Sequence, residues 1–173
     1  KLVEQAGLET KNVIVSERRE LSDYEDLKVN RYTGHTRAFL KIQDGCDQFC
    51  SYCIIPIARG KIRSRSPESI IDEAKSLADK GFCEIVLTGI HITSYGKDIK
   101  GTTLLDVIHE INRIEGIMRI RLGSLEPLYM SDDIVKKMAQ AEKLCPHFHL
   151  SLQSGCDETL KRMNRKYTTA EYE

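Results

Sequence analysis

The 173-residue chain lacks an excess of charge of either sign: 26 Lys and Arg face 26 Asp and Glu, so the formal net charge is zero. That balance argues against a protein held to nucleic acid by a basic surface as a whole, and leaves any such binding to local patches. The sequence has no apolar run long enough to span a bilayer and no signal-peptide pattern, so no membrane partner is expected. Internal repeats and low-complexity tracts are also missing, which removes solenoids and fibrous arrays. Six cysteines in a chain of this length are too sparse for a small disulfide-stapled scaffold. The length suits one domain with a sizeable core.

Three of those cysteines nevertheless crowd into eight residues, Cys46-Asp-Gln-Phe-Cys50-Ser-Tyr-Cys53. Spacings of three and two intervening residues put three thiolates on one tightly turned loop, the manner in which iron-sulfur clusters are held. A fourth ligand is what this stretch lacks. The next cysteine, Cys83, lies beyond a whole predicted helix, so a four-iron cluster on this loop keeps one iron open to a ligand that is not protein. A structural zinc would instead close its tetrahedron with a fourth Cys or His at short spacing, and none follows. Inert buried thiols account for single cysteines better than for three among polar neighbours.

Around this loop the pattern alternates. Residues 1–36 are charge-rich and without sustained periodicity, apart from an end of a helix at Leu2, Val3 and Ala6 and a short edge strand at Asn12-Val-Ile-Val15. They read as a linker and the tail of a missing amino-terminal domain, and the chain as an excised piece whose second domain, 37–173, is incomplete at its carboxy end. Phe39 to Gln43 predicts a strand running into the cysteine loop. Ser66, Pro67 and Glu68 open a helix with Ile70, Ile71, Ala74, Leu77 and Ala78 inward, ending at Gly81. Glu84 to Thr88 predicts a buried strand; Thr103 caps a helix carrying Leu104, Leu105, Ile108 and Ile111; Met118 to Leu122 is a third strand. Ser131 opens a third helix, Phe148 to Leu152 predicts a fourth strand and Asp157 to Lys166 a fourth helix. Alternating strands and helices imply parallel pairing with right-handed crossovers, hence an α/β barrel or doubly wound sheet. In such sheets ligands sit at the carboxyl ends of the strands. The segments there are the cysteine loop, Thr88-Gly-Ile-His91, Ser124-Leu-Glu-Pro127 and Gln153-Ser-Gly155.

Cys46-x3-Cys50-x-Tyr52-Cys53, with an aromatic before the last cysteine, resembles the motif of radical S-adenosylmethionine (SAM) enzymes. The flanks Arg37-Ala-Phe-Leu-Lys-Ile-Gln-Asp-Gly-Cys46 and Ile54-Ile-Pro-Ile-Ala-Arg-Gly60 resemble the methylthiotransferase branch of that superfamily. The resemblance implies a partial (β/α) barrel truncated after about four βα units and a 4Fe-4S cluster on Cys46, Cys50 and Cys53. Its open iron would take the amino and carboxylate groups of SAM, with Tyr52, Gly89, Ser124, Glu126 and Gln153 lining the SAM site. It implies reductive cleavage of SAM to a deoxyadenosyl radical by an electron from a donor. A second 4Fe-4S cluster in the missing amino-terminal domain would deliver the methylthio group. The substrate would be tRNA and the location cytoplasmic. A piece lacking that domain, a carboxy-terminal RNA-binding domain and the last strands is expected to be inactive by itself and prone to self-association or to disorder near Tyr167–Glu173. No catalytic residue is assigned beyond the cluster ligands. From the residues themselves, Glu126 also reads as a charge at the start of the next helix and Ser124 as a turn hydrogen bond.

Two basic clusters, Arg59, Lys61, Arg63, Arg65 and Lys161, Arg162, Arg165, Lys166, read either as solvated faces or as phosphate contacts, with Arg59, Arg63, Arg65, Arg165 and Lys166 the RNA-binding candidates. Cys83 and Cys145 read as small buried hydrophobes at the end of the sheet opposite the cluster, and Cys156 is given no role. His91 is placed to touch ligand, while His147 and His149 line a sheet face. Ile85-Val-Leu-Thr-Gly-Ile-His91 resembles the subgroup that acts on N6-threonylcarbamoyladenosine beside the anticodon. The isopentenyl-adenosine subgroup tends to carry Gly-Gln-Asn there, and enzymes modifying a ribosomal protein are a further alternative within the family. Outside it stands a non-catalytic iron-sulfur module, which would want a fourth protein cysteine.

Overall fold

A computed structural model describes residues 23–26 and 36–173. The expected helix end and edge strand before residue 23 lie outside the described residues. Strand β1 (Ala38–Asp44) buries Ala38, Leu40 and Ile42 on one face while Phe39 and Lys41 stay accessible, the alternation of a strand with one covered side. Beyond the cysteine loop, a single helical turn α1 (Ile55–Ala58) leads to a two-residue strand β2 (Arg63–Ser64). It pairs antiparallel with the end of β1 at Gln43 and Asp44. Nothing in the sequence pattern announced β2, because two residues carry no period.

Helix α2 (Pro67–Asp79) starts as its residues dictate: Ser66 Oγ accepts the Ser69 amide, Pro67 occupies the first turn and Ile70, Ala74 and Leu77 are buried. Strand β3 (Glu84–Gly89) lies parallel to β1, and β4 (Arg119–Leu122) parallel to β3. Between them runs α3 (Leu104–Asn112), opened by a reciprocal capping box of Thr103 and Asp106 and burying Leu104, Leu105, Val107, Ile108 and Ile111. The sheet order is β2-β1-β3-β4, with α2 packed on β1, α3 on β4 and the two helices on each other. Helices α4 (Asp132–Met138), α5 (Asp157–Arg162) and α6 (Thr169–Tyr172) follow.

The fourth expected strand is the main correction to the fold. Phe148 to Leu152 forms no ladder; isolated parallel bridges join Ile120 with Leu144 before the segment and Leu125 with Leu150 within it. Pro146 sits between those bridges without an N–H to donate, so pairing stops and restarts. Three parallel strands and a short antiparallel one replace the four parallel strands expected. Near the end of the chain Tyr167 is buried and Thr168 caps α6 with a capping box to Glu171. The architecture is nonetheless α/β, a partial barrel.

Candidate cluster and cofactor site

The cysteine loop begins where β1 runs out of apolar residues. Gln43 is fully buried; its amide donates to the carbonyls of Asp44 (2.8 Å) and Gly45 (2.7 Å), and its Oε1 accepts the backbone N–H of His91 at 2.7 Å. One side chain thereby ties the start of the loop to the end of β3. Asp44 Oδ1 accepts the Gly45 amide at 2.7 Å, while Lys41 Nζ donates to Oδ2 at 2.6 Å and Arg63 stands 3.6 Å away. Burial opposes ionisation of Asp44, but these donors outweigh it and hold its carboxyl below the ordinary range. Gly45, at φ +70°, is required: a Cβ there would lie 1.7 Å from the Lys61 carbonyl oxygen.

Further along, the loop is held by residues more than a hundred positions away. Ser51 N–H donates to the Met163 carbonyl at 3.1 Å, and Asn164 Nδ2 donates to the Phe49 carbonyl at 2.8 Å. Among the described residues three non-glycines have positive φ: Phe49 at 51°, Gln153 at 70° and Asn164 at 58°. All three belong to this site, and such conformations cost roughly 1–3 kcal/mol each and persist where surrounding contacts over-determine them.

Cys46 is buried and Cys50 and Cys53 are half-buried. Burial pushes the Cys46 thiol up, and the neighbouring Cys50 and Cys53 add to that, while a Gln48 N–H opposes it. The three cysteines, Tyr52, Ser124, Glu126 and Gln153 line one cavity of about 170 Å³. These are all the expected cofactor residues except Gly89. Gly89 ends β3 alongside, where a Cβ would come within 2.8 Å of Ile92 and 2.9 Å of Gln43 Oε1. A larger hollow of about 840 Å³ adjoins, with Gln48 and Glu126 on the wall of both and Lys97, Tyr129 and Lys166 beyond them.

Behind the thiols stands a polar relay that the sequence only half disclosed. Glu126 Oε2 meets His91 Nε2 at 2.9 Å, His91 Nδ1 meets Ser94 Oγ at 2.6 Å, and Arg165 lies 3.4 Å from Glu126 Oε1. Arg165 Nη1 donates to Cys50 Sγ at 3.3 Å, its Nε donates to Tyr167 Oη at 3.1 Å, and its carbon Cζ lies 4.9 Å from the centre of the Tyr167 ring. Burial opposes ionisation of Glu126, but the His91 hydrogen bond and the Arg165 charge hold its carboxyl below the usual range. Sequence reasoning named His91 and Glu126, put Arg165 on an RNA-binding rim and missed Gln43. An amide side chain at the end of the predicted strand Phe39 to Gln43, just before the cysteine loop, was the available signal.

The basic candidates separate. Arg63 and Arg65 are buried, at 7% and 2% exposure, and are not available to a phosphate. Arg63 donates to the Arg59 carbonyl at 2.7 Å and faces Asp44; Arg65 pairs with Glu73 at 2.5 Å and with Asp26 at 2.6 Å. Arg165 likewise is turned inward to Cys50, and only Arg59 and Lys166 of the five stay exposed. Cys83 is exposed and Cys145 half-exposed, so neither is the buried hydrophobe expected. His147 and His149 are exposed, while Phe148 between them and Leu150 after them pack on the core.

The donor set fits an iron-sulfur cluster. Three thiols lining one cavity match the three protein ligands of an iron-sulfur cluster. An α/β partial barrel that gathers three loop cysteines at the carboxyl ends of its parallel strands defines the class of radical SAM proteins. A model of the Radical SAM superfamily matches residues 40–173, and the chain belongs to that superfamily.

Among curated relatives, the chain is 47% identical over 146 residues to the threonylcarbamoyladenosine tRNA methylthiotransferase MtaB of Bacillus subtilis, covering 84% of this chain and 32% of that protein. It is 45% identical to the same-named protein of Aquifex aeolicus, covering 94% of this chain and 40% of the relative. The tRNA-2-methylthio-N(6)-dimethylallyladenosine synthase of Clostridium novyi is 43% identical, covering 98% and 38%. The chain thus spans between about a third and two-fifths of these relatives. Of solved structures, the cobalamin- and [4Fe-4S]-bound radical SAM methyltransferase TsrM of Kitasatospora setae superposes with a TM-score of 0.61 at 20% identity, over 78% of this chain and 27% of that one. The radical enzyme OxsB superposes at 0.58 and 15% identity, over 78% and 21%. These two likenesses establish the fold alone.

Proposed function

We propose that this chain is the cluster- and SAM-binding core of a tRNA methylthiotransferase, and that the full-length protein adds a methylthio group to N6-threonylcarbamoyladenosine next to the anticodon. The carrying observation is the cavity shared by Cys46, Cys50, Cys53 and side chains from the ends of β3 and β4, in a chain 47% identical to a relative named for that reaction. When bound, the cluster and SAM supply one-electron chemistry at the sulfonium. The chain's own residues bind and orient. Cys46, Cys50 and Cys53 hold three irons; Tyr52, 54% exposed on the cavity rim, offers a ring face to the adenine; Ser124, Glu126 and Gln153 supply polar contacts to the rest of SAM. Gly89 keeps the end of β3 free of a side chain. Arg59 and Lys166, with exposed Lys161 and Arg162, position the tRNA backbone. Residues 1–36 would connect to an amino-terminal domain carrying a second 4Fe-4S cluster, Cys46, Cys50 and Cys53 would hold a cluster served by an electron donor, the protein would work in the cytoplasm, and the isolated piece would self-associate.

A second reading, methylthiolation of dimethylallyl-adenosine, is favoured by relatives of that name at 43% and 44% identity. The residues speak for the first through Ile90, which lines the cavity where the alternative subgroup tends to carry Gln. His91 itself has both ring nitrogens engaged, by Glu126 and Ser94, so its part is to orient Glu126 rather than to donate to a threonyl carboxylate. The test is to express the full-length parent in cells lacking each methylthiotransferase and to analyse tRNA nucleosides by mass spectrometry. The methylthio group is expected on threonylcarbamoyladenosine and is expected to vanish with Cys50→Ala. Its appearance on the isopentenyl nucleoside alone, or on no tRNA, overturns the assignment.

A further inference from the structure

We infer that Arg165 is a positioning residue that sets the reduction potential of the cluster through the sulfur of Cys50; this rests on the reading above that Cys46, Cys50 and Cys53 hold a cluster. The three thiols are not equivalent. Cys50 receives a guanidinium N–H at 3.3 Å from a side chain only 8% exposed.

That guanidinium has little freedom to leave. Its Nε donates to Tyr167 Oη, its Nη2 reaches the Ser151 carbonyl at 3.5 Å and Glu126 at 3.4 Å. Each of those partners is itself held. Tyr167 donates to the Ser151 and Leu152 carbonyls at 2.6 and 2.7 Å, and Glu126 meets His91, which meets Ser94. A cation with this much support is more than the loop's fixation requires, since Ser51 and Asn164 already bind the loop backbone.

The electrostatic consequence has a definite sign. One-electron reduction adds a negative charge shared between the irons and their ligand sulfurs. A charged donor on one of those sulfurs stabilises the reduced form more than the oxidised one, and the partly desolvated setting strengthens the effect. Hydrogen bonds to cluster sulfurs are among the levers that set such potentials. Arg165 therefore raises the potential, and Glu126 tempers it with an opposing charge one step further out.

The test is a spectroelectrochemical titration of the anaerobically reconstituted chain without SAM, the reduced cluster being counted by electron paramagnetic resonance. At a fixed electrode potential, Arg165→Gln is expected to lower the reduced-to-oxidised ratio roughly tenfold, a shift of about 59 mV for one electron. Arg165→Lys, which keeps a cation as a point donor, should fall between it and the parent, and Glu126→Gln should shift the ratio the opposite way. A purely structural clip moves neither potential, or moves both alike. Unchanged potentials in Arg165→Lys and Glu126→Gln overturn the inference, including when Arg165→Gln holds no cluster; so does an unchanged potential accompanied only by weaker SAM binding. If the parent chain itself assembles no cluster, it is the underlying cluster reading that fails.

Discussion

The stretches Arg59–Arg65 and Lys161–Lys166 look alike on paper, each with four cations in six or seven residues, and the fold uses them oppositely. In the first, Arg59 and Lys61 face solvent while Arg63, on β2 paired along β1, turns in to Asp44 and Arg65 turns in to Glu73 of α2. In the second, Lys161, Arg162 and Lys166 stay out and only Arg165 turns in, where Tyr167, Glu126 and Cys50 receive it. The inward cations of the first stretch knit secondary structure together; the inward cation of the second reaches the site. A charge run is therefore not one feature but a mixture, and its meaning depends on where carboxylates and carbonyls await each member.

The sharpest way to separate the two is to remove an inward cation from the first stretch. Arg65 is 2% exposed and pairs with Glu73, itself buried on α2, and with Asp26. Taking away one member of a buried pair strands the other charge, which costs on the order of 3–5 kcal/mol. Arg65→Ala is expected to lower stability by that amount in chemical denaturation, with the m-value unchanged. The pair Arg65→Met with Glu73→Leu should recover most of the loss. A cost under about 1 kcal/mol for Arg65→Ala would mean that the inward half of this stretch is as weakly engaged as its outward half.

How far this was legible in advance follows from the same contrast. Helices α2 and α3 and strands β1, β3 and β4 announce themselves through periodicity and caps, since Ser66, Thr103 and Ser131 do in space what their positions suggest. The three loop cysteines stood out by their spacing; βα topology brings the strand-end segments together, and it was the family resemblance that singled out Tyr52, Ser124, Glu126 and Gln153 within them. What pattern could not supply was pairing between residues far apart in sequence. Arg165 lies 115 positions from Cys50, and His91 lies 48 from Gln43, so no local signal marks either contact. The missing fourth ladder is a local failure of another kind: the alternation around Phe148 is real, but Pro146 interrupts the hydrogen bonding that alternation leads one to expect.

Acid probes the carboxylates that receive the inward cations. Asp44, which faces Arg63 of the first stretch, and Glu126, which faces Arg165 of the second, both have folded-state values lowered by their donors. A group lowered on folding contributes stability that is fully present above its unfolded value, about 3.9 for Asp and 4.3 for Glu, and is lost as pH falls through the folded value. Thermal unfolding of the chain should thus show little change from neutral pH down to about 5 and a decline below about 4. Asp44→Asn and Glu126→Gln should each flatten that decline, because the residue that titrates is gone. A decline that begins well above pH 5 and persists in both variants would show that these two carboxylates are not the acid-sensitive groups.

The smallest stability effect is expected from the outward cations, and there the two stretches should converge. Alanine at Arg59, Lys161, Arg162 or Lys166 removes an exposed side chain, and substitutions of that kind stay within about 0.5 kcal/mol. If these residues contact the tRNA backbone, their effect appears in binding instead. Each lost phosphate contact should weaken affinity for any tRNA alike and reduce the slope of log affinity against log salt by about 1. Measured on the full-length protein, Arg59→Ala and Lys166→Ala are expected to act on that slope to the same degree and to add when combined. A slope that responds to Lys166 but not to Arg59 would place the RNA on the α5 side alone, since Arg59 has Asp44 within 3.8 Å to hold it and Lys166 has only the amide oxygen of Asn164.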